Sequence, residues 1–247
     1  MTIEGVTRFV CDHTARPLPA RRFGEVCAPL AGWRTLLAEL GLVGRDPARY
    51  GGVGYGNVSA RVGPFPGGRG ARAFVISGTG TGERACAGLD DFALVRRYDI
   101  ARNRVESEGG VAPSSESMTH GAIYDLSPQI RVVLHAHAPV LWRAARALKL
   151  PTTAPAVEYG TPEMAREVAR LARETTLFER RALAMGGHED GIIAFGRDAD
   201  TAGQALMAAL AAAHALAFQR DGAACATRPA PISDKARDQK SSYPARP

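Results

Sequence analysis

Cysteine is scarce in this chain, and what there is suits no cysteine-based architecture. Cys11, Cys27, Cys86 and Cys225 are widely scattered, with no C-x-x-C pair. That excludes a disulfide framework and a cysteine metal site, and it reads as free thiols in a reducing compartment. Aromatic residues make up only 6%. The most apolar run, residues 205–218, is alanine-rich, broken by His214, and short of the roughly 20 residues a membrane span needs. The N-terminus lacks the basic-then-apolar order of a signal peptide, and there is no internal repeat. The expectation is a soluble, cytoplasmic protein with no membrane partner.

What is present is ordinary for a globular domain: 45% apolar and 23% charged residues in a chain of 247, long enough to bury a substantial core. The net charge of +6 invites a nucleic-acid reading. Half of that surplus, however, sits in residues 223–247, where Arg228, Lys235, Arg237, Lys240 and Arg246 face only Asp234 and Asp238. This stretch is rich in Pro, Ser and Ala and reads as a flexible tail. No RNA- or DNA-binding signature accompanies it, so nucleic acid is not expected as a partner. The remaining basic charge suits an anionic small molecule equally well.

Along the chain, residues 1–21 carry Pro17 and Pro19 and read as an arm. Residues 22–222 form the domain. Val26, Leu30, Trp33, Leu36, Leu37 and Leu40 recur at helical spacing, with Gly41 as a stop. Strands are predicted over 57–62, 73–76, 92–100, 130–135, 182–185 and 191–195, and helices over 116–126, 139–148 and 198–219, with another opening at Thr161-Pro162-Glu163. Ser114 or Ser115 is placed to cap the helix that follows it. The pattern predicts α/β class: one mixed, mostly antiparallel central sheet flanked by helices.

The chemistry-bearing residues are few. His135 and His137 stand two apart at the end of a strand, so both imidazoles share one face. By spacing alone such a pair reads equally as a zinc site or as a surface or satisfied core feature. His188 and Glu116 lie in polar, Gly- or Ser-flanked turns at element ends, from which a side chain reaches a cleft. The glycine-rich loop over 77–82 exposes backbone N–H groups, although alone it reads as a hairpin turn. His120, four residues after Glu116, reads as a helix-surface histidine, and His214 as a packing or interface residue. Trp33, Trp142 and Tyr124 read as core, and Glu189 and Asp190 as solvated turn residues.

Five segments in order, Gly56-Asn57-Val58-Ser59, Ile76-Ser77-Gly78-Thr79-Gly80, Pro113-Ser114-Ser115-Glu116, Val132-Val133-Leu134-His135-Ala136-His137 and Gly187-His188-Glu189-Asp190-Gly191, resemble the class II aldolase/adducin family. The resemblance spans roughly residues 23–219 and implies a three-layer sandwich and a homotetramer. It implies zinc, or another divalent metal such as Mn2+ or Co2+, on His135, His137 and His188, with Glu116 as general acid/base. It further implies a substrate phosphate held by Asn57, Thr79, Gly80, Ser114 and Ser115. The activity implied is a lyase that cleaves a carbon–carbon bond of a small sugar or sugar acid through a metal-stabilised enediolate. Decarboxylase, pentulose-phosphate 4-epimerase and non-catalytic adducin-like readings stand as alternatives. Residues 150–160 look shorter than in the aldolases, without a counterpart of their proton-donating tyrosine; Tyr159 abuts the next helix start.

Overall fold

A computed structural model describes residues 5–84 and 86–221; the basic tail expected over 223–247 lies outside them. The chain runs β1 (Val10–Ala15), α1 (Ala20–Glu39), β2 (Gly44–Arg45), β3 (Gly54–Tyr55), β4 (Asn57–Arg61), β5 (Phe74–Ser77), β6 (Phe92–Asp99), β7 (Arg104–Gly109), α2 (Ser117–Leu126) and β8 (Val132–His137). It continues through α3 (Pro139–Ala144), α4 (Pro162–Glu174), α5 (Leu177–Arg180), β9 (Ala182–Ala184), β10 (Gly191–Gly196) and α6 (Ala199–Asp221). Eight strands make one sheet in the order β1-β7-β6-β5-β4-β8-β10-β9. The pair β1 and β7 is parallel and every other neighbouring pair is antiparallel, so the sheet is mixed as expected.

Helices cover both faces. On one, Leu30 and Leu37 of α1, Leu141 of α3 and Leu206 of α6 pack over Val58, Leu134 and Ile192. On the other, Met118 and Ile123 of α2 and Met164 and Val168 of α4 pack over Phe74, Val133 and Ile193. Each fully buried leucine contributes about 2 kcal/mol. With both faces covered, all six residues of β8 and all six of β10 are buried, which is why these strands read as continuous apolar runs. Because side chains alternate, Leu134 faces the α1 layer, while Val133, His135 and His137 face α2.

Several expectations need correction. The buried stripe of α1 is Phe23, Cys27, Leu30, Arg34 and Leu37, whereas Leu36 and Leu40 are 41% and 51% exposed. The true stripe includes an arginine, which the apolar spacing passed over. The stretch read as an arm carries β1, whose pairing with β7 buries little apolar surface and so leaves little trace in the pattern. Strand β7 itself, Arg-Val-Glu-Ser-Glu-Gly, was not predicted, being polar at alternate positions. Strand β8 extends two residues beyond the expected end, so both histidines lie within it. Residues Ala199–Gln219 are long and apolar enough to cross a membrane by length and composition, unlike the shorter run read from the sequence. Here the N-terminal half of that helix packs on the domain, Ala202 and Leu206 being fully buried, while Phe218 is 61% exposed. His214 is exposed too, so of the two roles expected for it packing within the domain does not hold.

Candidate metal centre

Four elements bring the expected residues together. Glu116 occupies the position before α2, held there as its backbone N–H donates to Ser114 Oγ at 3.2 Å and as Ser117 Oγ donates to the Ser114 carbonyl at 2.6 Å. Neither serine caps the helix in the ordinary way, since Glu116 is itself the capping residue. His135 and His137 project from β8, and His188 from the turn between β9 and β10. Glu116 Oε1 stands 3.8 Å from His135 Nε2 and 3.6 Å from His188 Nδ1. His188 Nε2 lies 2.9 Å from His137 Nε2. All four side chains are at most 2% exposed.

The backbone prepares this convergence. Asn57 of β4 lies directly across from His135, and Gly191 of β10 across from His137. Gly56, at φ 71, brings the chain into β4; a Cβ there would stand 3.0 Å from the His135 carbonyl, so only glycine permits the approach.

The donor set fits a divalent cation. His135 Nδ1–H donates to the Ile192 carbonyl at 3.2 Å, and a carbonyl can only accept, so Nε2 carries the lone pair. That Nε2 is buried and has no hydrogen-bond partner among the described residues. Ligand atoms of the three histidines lie within 4.8 Å of one another, whereas a tetrahedral ion with bonds of about 2.0–2.1 Å needs a mutual spacing near roughly 3.3 Å. Modest rotation of the rings accommodates it. Burial holds His135 and His137 well below the usual histidine range, with repulsion between neighbouring imidazoles adding to it. Both are therefore neutral, the form that ligates metal. These three histidines form a buried group able to hold a metal ion.

The other expected residues meet beside it. Asn57, Thr79, Gly80, Ser114 and Ser115 all line one pocket of about 220 Å3. Gly80 adopts φ 73 with open space where a Cβ would be, which leaves its backbone bare toward solvent. Larger hollows of about 620 and 690 Å3 lie around Arg102 and Lys149. Neither contains any of these residues, so size is no guide here.

Structure also reveals the neighbours of this centre, of which the sequence did not single out Tyr50. The Tyr50 ring packs edge-on to His137 at 4.6 Å, and its hydroxyl donates to Asp190 Oδ2 at 2.7 Å. Asp190 is thus a holder of Tyr50 and not merely a solvated turn residue, while Glu189 is exposed as expected. Tyr159 is fully buried against His188, with ring centroids 4.6 Å apart, and its hydroxyl accepts the Val6 N–H at 2.9 Å. His120 is not on the helix surface: it is fully buried, its Nδ1 2.7 Å from Ser59 Oγ, which is also 2.6 Å from Tyr124 Oη. Burial pushes the His120 pKa down to about 3. A serine two positions after Asn57 on β4 was the available signal for that cluster.

The family model described as Class II Aldolase and Adducin N-terminal domain matches residues 45–217, well over half of the chain. Among solved structures, the chain is similar to l-fuculose-1-phosphate aldolase from Thermus thermophilus, with 22% identity and a TM-score of 0.57, covering 84% of this chain and 99% of that one. It is also similar to a sugar-phosphate aldolase from Thermotoga maritima, with 16% identity and a TM-score of 0.59 over 81% and 97% of the two chains. A third is YgbL from Escherichia coli, described as a candidate aldolase/epimerase/decarboxylase, with 14% identity and a TM-score of 0.57 over 78% and 89%. At these identities the likeness is one of fold. No curated protein matches the chain.

Proposed function

Because the chain belongs to the class II aldolase and adducin family, we propose that it is a divalent-metal lyase that breaks a carbon–carbon bond of a small phosphorylated sugar or sugar acid. The observation that carries this reading is a carboxylate, Glu116, set 3.6–3.8 Å from two of three buried histidines beside a pocket of neutral hydrogen-bond donors. A cation on His135, His137 and His188, zinc first and manganese or cobalt as alternatives, supplies Lewis acidity toward a carbonyl oxygen.

The chain's own residues do the rest. Asn57, Thr79, Gly80, Ser114 and Ser115 hold the anionic end of the substrate, which fixes the distance from that end to the reacting carbons. As the β-hydroxyl gives its proton to Glu116 and becomes the aldehyde, the bond between the α carbon, which adjoins the carbonyl, and the β carbon breaks, and its electron pair stays on the α carbon. Glu116, buried and fixed by Ser114, then delivers a proton to that carbon, or removes one in the reverse direction. Burial of all three histidines excludes water, which would otherwise protonate the carbanion indiscriminately. The names of the Thermus and Thermotoga neighbours favour a sugar phosphate.

Loss of carbon dioxide leaves the same electron pair, so decarboxylation is the second reading. It is favoured by the brevity of residues 150–160, because decarboxylation needs no second acid to serve an aldehyde oxygen; epimerisation follows from re-addition. A homotetramer in the cytoplasm completes the proposal, supported by the exposed C-terminal half of α6 and by the free thiols of Cys11, Cys27 and Cys86. Metal analysis tests the reading first. The purified protein should carry about one equivalent of divalent metal per chain. Glu116→Gln should retain that metal and lose turnover by roughly 10²–10⁴-fold. Less than about a tenth of an equivalent, with none taken up on addition, favours the non-catalytic adducin-like reading.

A further inference from the structure

Arg34 lies outside every segment that carries the family resemblance. It projects from α1 at a position otherwise reserved for apolar residues and is 1% exposed. Its guanidinium donates to the carbonyls of Thr81 at 2.5 Å and Arg84 at 2.8 Å, in and just after the glycine loop. Among the described residues no carboxylate pairs with it. Burial and the neighbouring Arg84 both work against its charge. A buried cation without a counter-ion is costly, and two carbonyls use only part of a five-donor fork.

Arg34 also reaches the wall of the 220 Å3 pocket, where Asn57, Thr79, Gly80, Ser114 and Ser115 are all uncharged. Asn57 is 5% exposed. The pocket therefore combines a single positive charge with neutral side chains and backbone and no carboxylate. We infer that Arg34 supplies the charge that makes this pocket selective for a phosphate monoester, donating to the phosphate while the five neutral residues surround it. The inference rests on the pocket reading proposed above. Donors arrive from α1, β4, the glycine loop and the approach to α2, which suits a tetrahedral oxyanion better than a planar carboxylate. If Arg34 served only to brace the loop, a neutral amide would bridge the same two carbonyls without the desolvation cost of a charge.

The test is calorimetric titration of inorganic phosphate into the full-length protein, Arg34→Gln, Arg34→Lys and Ser115→Ala, with circular dichroism and bound metal measured in parallel. Arg34→Gln should weaken phosphate binding on the order of ten- to hundredfold, the scale of one charge-assisted hydrogen bond. Arg34→Lys should lose less, acetate should bind the wild type more weakly than phosphate, and metal content should not move. A folded Arg34→Gln that binds phosphate like the wild type, while Ser115→Ala binds it weakly, overturns the role of Arg34 and leaves the pocket standing. A wild type that binds no phosphate overturns the pocket and the inference together; one that prefers acetate overturns the phosphate assignment. If Arg34→Gln does not fold, the wild type decides. Its Arg34 guanidinium N–H resonance, identified by its absence from Arg34→Lys, should shift with phosphate, and no shift overturns the inference.

Discussion

At the histidine end of the cleft, every group that faces the centre is a side chain carried by a strand, a helix start or a tight turn. His135 and His137 share one face of a strand whose six residues are all buried, and Glu116 is tied down by Ser114. At the pocket end, the lining is glycine, backbone and short neutral side chains drawn from loops, with Arg34 behind them. The first end presents ligand atoms in a fixed arrangement and keeps His135 and His137 neutral by burial. The second presents many weak donors around a volume, with charge arriving from a distant helix. A rigid cluster suits a cation that tolerates little misplacement, and a donor-rich hollow suits an anion that can be held in several equivalent ways.

If the two ends are independent, each can be removed without the other. His188→Ala should lower bound divalent metal from about one equivalent to below about a tenth, and turnover should go with it. Phosphate affinity should stay within about threefold of the wild type, since the pocket lining includes none of the three histidines. Metal analysis and the phosphate titration on one protein preparation check both halves. Loss of phosphate binding along with the metal means that the two ends are one cooperative unit.

Acid should damage the histidine end selectively. His120 is fully buried under it and is held at about 3, against an ordinary value of 6.5. Between those two values the unfolded chain binds a proton that the folded chain refuses. Stability on this account is therefore complete above the ordinary value and is lost as pH falls from there toward the folded value, by up to about 1.4 kcal/mol per pH unit. His120→Gln, which retains a hydrogen-bonding partner for Ser59, should flatten the decline. Chemical denaturation of both proteins at neutral and mildly acidic pH measures it. Equal slopes mean that His120 does not govern the acid response.

The two ends also differ in how much of them could be read from the sequence. His135 and His137 stand two apart, the family resemblance added Glu116 and His188 from segments far along the chain, and the structure brings all four together. The sheet and its flanking helices followed from apolar patterning, because burial on both faces leaves strong signals in β8 and β10. Strands β1 and β7 were missed because their pairing buries so little apolar surface that polar residues fill alternate positions. Arg34 was missed for the opposite reason: it occupies a buried slot of an apolar stripe, where spacing analysis counts only hydrophobic residues. Tyr50 was not singled out, and His120 was read as a helix-surface residue, because each meets its neighbours through tertiary folding, as Tyr159 does.

The smallest effect expected lies where a charge acts on the centre through an intervening ring. Asp190 accepts from Tyr50 Oη, and the Tyr50 ring rests on His137. Tyr50 also has φ 49, a left-handed conformation uncommon for a bulky residue and sustained only when its surroundings fix it. Asp190→Asn keeps an acceptor in place but turns a charge-assisted hydrogen bond into a neutral one, a change of about 1 kcal/mol. Metal affinity, measured against a competing chelator, should fall only about two- to fivefold, less than for a group bonded directly to a ligand. Tyr50→Phe should produce a loss of the same size, and the double variant should lose no more than either single one, since both remove the same contact. Phosphate affinity should not change in any of the three. Additive losses would instead assign the two side chains separate routes to the centre, and a matching loss of phosphate binding would join the two ends that the rest of the molecule keeps apart.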